Sequence, residues 1–281
     1  MGPAAGKGVI PIRRFFALTL ALLLVLPCAL AQDEPEWDYP LAPEIIYDYD
    51  GYLTLTNRQE LISSDYEPDD LVNITARKAS SDKMQLREKA SQALSAMFEA
   101  ASQAGYTLYA KSAYRSYQTQ KSMYQNRLDK NHGRDDGYVA YPGSSDHQTG
   151  LGVDILNYEW TKKDGMNEKF AATPEAKWME AHCAEFGFVL RYMEDKEDVT
   201  GIKFEPWHFR YVGLKAAQYI MENHLSLEEF TQEYRDYIAA YEAAGGDFEA
   251  LLRRRRRMND ATVISVSEDG EEELSIYYTG R

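Results

Sequence analysis

Three short segments hold most of the residues able to do chemistry. They are Lys111-Ser-Ala-Tyr-Arg-Ser-Tyr117, Tyr141-Pro-Gly-Ser-Ser-Asp-His-Gln-Thr-Gly-Leu-Gly-Val-Asp154 and Phe204-Glu-Pro-Trp-His-Phe-Arg-Tyr211. His147 lies in a loop between Gly143 and Gly150, and Asp154 follows seven residues later. That spacing lets a turn fold back so that imidazole and carboxylate face one ion. His208 offers a third ligand from a separate strand. Two histidines and one carboxylate, with a fourth position left to water, is the ligand count of a catalytic zinc site, whereas structural sites close all four positions. Glu205 is the nearest spare carboxylate. In a regular strand residues 205 and 208 would point to opposite faces. Pro206 interrupts regular pairing, so a local kink is required for both side chains to enter one cavity. Without the kink the pair is a half-buried histidine beside an exposed acid.

The elements that must position these groups can be read from periodicity. Leu86, Ala90, Leu94, Met97 and Ala101 recur at helical spacing, predicting a helix over 84–104 that Gly105 ends. Residues 106–110 read as a strand, and Ser116 caps a second helix running to about Leu128. Residues 133–145 form a turn-rich loop, after which Leu151, Val153 and Ile155 alternate as in a strand. Thr173-Pro-Glu175 opens a helix through Ala184 with a cap, a first-turn proline and an early acid. Residues 186–192 and 204–212 are rich in aromatic and β-branched residues and read as strands. Ser226-Leu-Glu-Glu229 is a capping box, and 262–267 with 273–278 read as a hairpin around Asp269-Gly270. Helices and short strands are mixed without regular alternation, so the expected class is α+β, a small mainly antiparallel sheet flanked by helices.

Composition narrows the function classes. The 281 residues include 31 Lys+Arg against 45 Asp+Glu, a formal charge of −14, which argues against a nucleic-acid partner. Two cysteines cannot build a disulfide scaffold or a multi-cysteine zinc site, so any metal must rest on His, Asp or Glu. Lys7, Arg13 and Arg14 precede an apolar stretch, 15–31, that ends in Ala29-Leu-Ala31, the form of a signal-peptidase site. The expectation is an exported protein, either cleaved after Ala31 or held to the membrane by that stretch. Cleavage would leave 28 basic and 45 acidic residues, a charge of −17, with Cys183 as the one remaining thiol. Residues 32–51, acidic and tyrosine-rich without a helical period, read as a solvated spacer. His132, His182 and His224 lack partner spacing and read as surface residues, and Cys183 as a small buried apolar group. Asp146 admits two readings, a group orienting His147 or a solvated loop acid. The Arg253–Arg257 run reads as a solvated helix end, or as a contact for an anionic polymer or lipid headgroups.

Taken together, the segments resemble the VanY-type D-alanyl-D-alanine carboxypeptidases and the related LD-carboxypeptidases, zinc peptidases of bacterial cell-wall metabolism. The resemblance rests on Ser112–Ser116, Pro142–Asp154 and Glu205–Gly213 in order, with Phe186–Tyr192 and Thr200-Gly201 between them. It covers about 52–230. Ala113, Gly152 and Met193 stand where glycine, alanine and proline are common in the family. The resemblance implies one zinc ion on His147, Asp154 and His208, with Glu205 as general base and then acid. It also points to Arg115 as the charge facing the oxyanion or the substrate's carboxylate. Gln120 and Ser145 would complete a carboxylate clamp, and Trp207 would wall the pocket. The implied substrate is a peptidoglycan stem peptide losing its terminal D-alanine, and the implied state a monomer. A dipeptidase or endopeptidase on the same scaffold, and a non-catalytic wall-binding module, remain open alternatives. The expected organisation is 1–31 export segment, 32–51 spacer, 52–230 peptidase domain and 231–281 a helix and hairpin extension.

Overall fold

A computed structural model describes residues 34–259, 261–266 and 273–278. The expected export segment, 1–31, and the expected Asp269-Gly270 turn lie outside the described residues. No helix among the described residues is long and apolar enough to cross a membrane.

In chain order the elements begin with α1 (Pro43–Tyr47), β1 (Leu71–Asn73), β2 (Gln85–Arg87), α2 (Glu88–Gln103), β3 (Leu108–Ser112) and α3 (Tyr117–Lys130). They continue with β4 (Gly152–Asn157), α4 (Tyr158–Thr161), α5 (Pro174–His182), β5 (Phe188–Leu190), α6 (Glu197–Thr200) and β6 (His208–Tyr211). The chain then runs through α7 (Leu214–Glu222), α8 (Leu227–Ala243) and α9 (Phe248–Asn259) to β7 (Ala261–Val266) and β8 (Glu273–Tyr278). The class is α+β. The central sheet has four antiparallel strands in the order β3-β4-β6-β5.

The helix expected over 84–104 starts four residues late. Residues 85–87 form β2 instead, because Leu71, Val72 and Asn73 offer a ladder partner that local periodicity does not reveal. Ser116 caps α3 by accepting from the Thr119 amide, and Ser226 with Glu229 forms the expected capping box on α8.

One face of the central sheet packs on α2 and α5. Leu94, Met97 and Ala101 of α2 and Met179 of α5 share a fully buried cluster with Val153, Ile155 and Phe209. Successive strand residues point to opposite faces. Val153, Ile155 and Phe209 therefore face this core, and Gly152, Asp154, His208 and Arg210 face the other side. Asp154 and His208 are register partners across β4 and β6, as are Gly152 and Arg210.

The segment 32–51 is not a solvated spacer from Glu34 onward. Tyr39, Leu41 and Ile46 are buried in a second cluster with Phe230 and Tyr241 of α8 and Phe248 and Leu252 of α9. Trp37 stacks on Phe248 at 5.2 Å and meets Tyr237 and Tyr241 edge-on. The Tyr39 hydroxyl donates to Glu233 at 2.8 Å. The arginine run of α9 is also engaged: Arg254 pairs with Glu34 and Arg255 with Glu44, and Arg256 lies over the Tyr49 ring. Trp37 and Tyr39 find their partners about 200 positions away, so no local pattern signals their burial. The expected boundary at 230/231 falls inside α8, a continuous helix. Trp37→Ala should lower the unfolding free energy by about 2–3 kcal/mol, below the full cost of emptying a buried aromatic site because Trp37 is half-buried. The shift in urea midpoint measures it, and a loss under about 1 kcal/mol would mean the strap is loosely held.

Candidate active site

His147 sits on a single 3-10 turn, Asp146–Thr149, that packs against the site face of β4. Two glycines allow that approach. Gly150 has φ of +69°, and a Cβ there would lie 2.8 Å from Leu71 Cδ2. At Gly152 a Cβ would come within 3.0 Å of Asp146, so the alanine common in the family would crowd the turn. The register of β3 against β4 shifts between Ala110 and Ser112, a local irregularity just before Arg115.

The ligand atoms of His147, Asp154 and His208 lie within 4.8 Å of one another, and all three residues are buried. The His147 Nδ1 bonds the Ala113 carbonyl at 2.7 Å. A carbonyl only accepts, so the ring proton is on Nδ1 and Nε2 carries a lone pair. That Nε2 is 3.3 Å from Asp154 Oδ1, and His208 Nδ1 is 3.0 Å from the same oxygen. The cation facing these acceptors is Arg115, whose Nη2 lies 2.8 Å from both His147 Nε2 and Asp154 Oδ2. Burial, and then Arg115, drive the His147 imidazolium down to about 4. Burial raises Asp154, but His147, His208 and Arg115 outweigh it and hold the carboxyl well below its usual range. Two imidazoles and an ionised carboxylate converging on one point, with the His147 Nε2 lone pair among them, fit a divalent metal ion with a taste for N and O donors, zinc included.

The kink required at Pro206 is present. β6 begins only at His208, whose amide bonds the Glu205 carbonyl at 3.0 Å in a turn. Glu205 Oε2 thereby comes to 3.6 Å from His208 Nδ1. Burial, followed by repulsion from Asp154, pushes the Glu205 carboxyl well above the ordinary carboxylate range.

All the residues singled out from the sequence line one cleft of about 240 Å³: Arg115, Gln120, Ser145, His147, Asp154, Glu205, Trp207 and His208. Gln120 is fully buried, donates to the Ala140 carbonyl at 2.7 Å and accepts from Arg115 at 3.2 Å. Met123, Tyr138, Met166 and Ile202 add apolar wall that the sequence did not single out. His182 and His224 are surface groups paired with Glu185 and Asp195, and Cys183 is fully buried, its thiol pushed up to about 12 by burial.

Asp146 is no loop acid. It is fully buried, taking Arg191 Nε at 2.8 Å and Arg210 Nη1 on its two oxygens. Arg191 and Arg210 lay inside quoted motifs but gave no sign of burial, since a sequence shows a charge and not its partner. Burial raises the Asp146 carboxyl, yet Arg210 and Arg191 outweigh that and hold it at about 2 against an ordinary 3.8. A depressed folded-state pKa contributes stability above the unfolded value, lost as pH falls through the folded one. Between pH 4 and 2 this group alone should remove about 2 kcal/mol of unfolding free energy. Urea unfolding at pH 5 and pH 2 checks it. A smaller drop would mean that the two arginines do not hold the carboxylate.

Comparison with known proteins places this arrangement. The family model for VanY, D-alanyl-D-alanine carboxypeptidase, matches residues 83–214. The Bacillus subtilis protein YodJ is 40% identical over 198 residues, 68% of this chain and 71% of YodJ. The solved LD-carboxypeptidase LdcB is 41% identical with a TM-score of 0.59, covering 63% of this chain and 84% of LdcB. A D,D-pentapeptidase VanY from a VanB-type resistance cassette, solved in complex with Zn(II), is 31% identical with a TM-score of 0.53, covering 64% of this chain and 98% of that one. Similarity of this extent, over a shared fold, makes the chain a peptidase of the VanY-type D-alanyl-D-alanine and LD-carboxypeptidase family.

Proposed function

We propose that the protein is an exported, zinc-dependent carboxypeptidase that removes the terminal D-alanine from peptidoglycan stem peptides. The observation that carries this reading is the convergence of His147, Asp154, His208, Glu205 and Arg115 in one cleft. Export rests on the basic and apolar pattern of 1–31, and the substrate class on the solved relatives named above.

A zinc ion held by His147, Asp154 and His208 would supply Lewis-acid polarisation of the scissile carbonyl and acidify a water. Glu205 takes the proton from the attacking water and returns it to the leaving amine. Burial and Asp154 raise this carboxyl, which makes it a stronger base than an ordinary carboxylate and a better carrier of the proton it returns. Arg115 can turn from Asp154 and His147 toward the substrate, meeting its carboxylate or the oxyanion with a planar, bidentate donor. Gln120, anchored on Ala140, keeps the Arg115 guanidinium aimed along the cleft floor. Trp207, Tyr138 and Met166 exclude water from the reacting end. At about 240 Å³ the cleft is smaller than the ~300–1,000 Å³ of drug-sized sites, which suits the small end of a peptide.

Incubation with defined tetra- and pentapeptide stems should release free D-alanine, and mass spectrometry of the products identifies which bond is cut. Release of D-alanyl-D-alanine, or cleavage only of cross-bridged dimers, would replace this reading with the dipeptidase or endopeptidase alternative.

A further inference from the structure

Behind the metal-ligating face lies a chain of four charges, three fully buried and Glu228 nearly so, that the chemistry above does not use. Asp146 is its centre, flanked by Arg210 and Arg191. Arg210 also donates to the Tyr52 and Thr54 carbonyls at 3.0 and 2.8 Å, which ties it to the backbone. Arg191 has no such anchor. Beyond Asp146, its guanidinium hydrogen-bonds, among the described residues, to the two Glu228 oxygens alone, at 2.8 and 2.7 Å. Glu228 lies in the first turn of α8, past the end of the family match at residue 214.

We propose that Glu228 is a positioning residue for the metal site, acting through Arg191 and Asp146 on His147 and His208. Asp146 precedes His147 in the chain, so the seat of its carboxylate fixes the turn that carries His147. On its other side Asp146 Oδ2 faces His208 Nε2 at 3.9 Å, and that buried nitrogen has no hydrogen-bond partner among the described residues. The groups behind a ligating histidine orient its ring and tune its basicity. With Glu228 ionised, the buried set of two arginines and two carboxylates is neutral. Without that charge it holds a net positive charge a few ångströms from where a cation must bind, and Arg191 loses its fork partner. Each effect weakens cation binding.

Glu229, the next residue, provides the control. It closes the capping box on Ser226 and pairs with Lys196, so it stabilises the same helix end without touching Arg191. The proposal rests on His147, Asp154 and His208 being metal ligands, and the experiment separates the two ideas. Metal-free full-length protein, Glu228→Gln and Glu229→Gln are titrated with zinc against a chromogenic chelator, and thermal unfolding of each metal-free form is recorded. The zinc Kd of Glu228→Gln should rise about 10-fold to 100-fold, while that of Glu229→Gln stays within about twofold. Glu228→Asp, which keeps the charge with a shorter reach, should fall between wild type and Glu228→Gln and serves if the glutamine variant does not fold. In an Asp146→Asn background the Glu228 substitution should raise the zinc Kd by less than it does alone, since the route through Arg191 to the His147 turn is already broken and only the charge effect remains. An equal or larger rise there overturns the relay. An unchanged Kd in folded Glu228→Gln, or an equal rise in Glu229→Gln, overturns the proposal. If the wild-type protein itself binds no zinc, the ligand assignment falls first and takes the proposal with it.

Discussion

Glu205→Gln should lower kcat/KM for D-alanine release by about 1,000-fold, the loss expected of a general acid–base, while bound zinc stays at the wild-type level. Glutamine keeps the shape and volume of the side chain, so the kink at Pro206 and the packing of Trp207 are undisturbed. What it removes is the ability to take a proton from water and pass it to the departing amine. The structure singles out this carboxylate among the acids of the cleft. Asp154 is locked between two imidazoles and Arg115, which holds it ionised and unable to shuttle protons. Asp146 is sealed behind them by two arginines. Glu205 makes no side-chain hydrogen bond among the described residues, opens on the cleft, and has a carboxyl raised by burial and by Asp154. Steady-state kinetics with metal analysis of the same preparation provide the check. Activity within tenfold of wild type would remove Glu205 from the mechanism, and loss of zinc would make it a ligand instead.

The part of the site legible in the sequence was the part written in rare residue types. Histidines at 147 and 208 stand out because the chain has five in all, and the glycine-bounded loop picks out which of its 45 acidic residues, Asp154, can meet His147. The alternation of Val153 and Ile155 placed Asp154 on the opposite face, and the register with β6 placed His208 beside it. The proline at 206 flagged the irregularity that brings Glu205 round. Long-range partnership was not legible. Arg191, Arg210 and Glu228 are abundant residue types whose burial depends on one another, since a buried charge persists only when paired. Trp37 and Tyr39 looked like ornaments on an acidic spacer because their partners on α8 and α9 come at the far end of the chain. β2 was lost to the helix beside it for the same reason: a three-residue strand is defined by its neighbour, β1, more than by its own pattern.

His208→Ala should abolish stoichiometric zinc binding and bring peptidase activity to background, the largest loss expected from any single substitution here. The reason is geometric before it is chemical. His208 and Asp154 are direct cross-strand partners, which brings His208 Nδ1 within 3.0 Å of Asp154 Oδ1, while His147 reaches the same oxygen from a separate turn. Remove the His208 ring and two protein donors remain, below the three that catalytic zinc sites keep. No other histidine can replace it, because His132 is exposed and His182 and His224 are engaged at the surface with Glu185 and Asp195. A ligand that binds only the folded state raises its stability in proportion to the logarithm of free ligand over Kd. Zinc should therefore raise the Tm of the wild type and leave that of His208→Ala unmoved, a readout independent of turnover. His182→Ala and His224→Ala should keep both zinc and activity, which separates loss of a ligand from loss of any histidine. Full zinc occupancy in His208→Ala would mean that the ion rests on other groups, and the reading of the cleft as a His147–Asp154–His208 centre would fail with it.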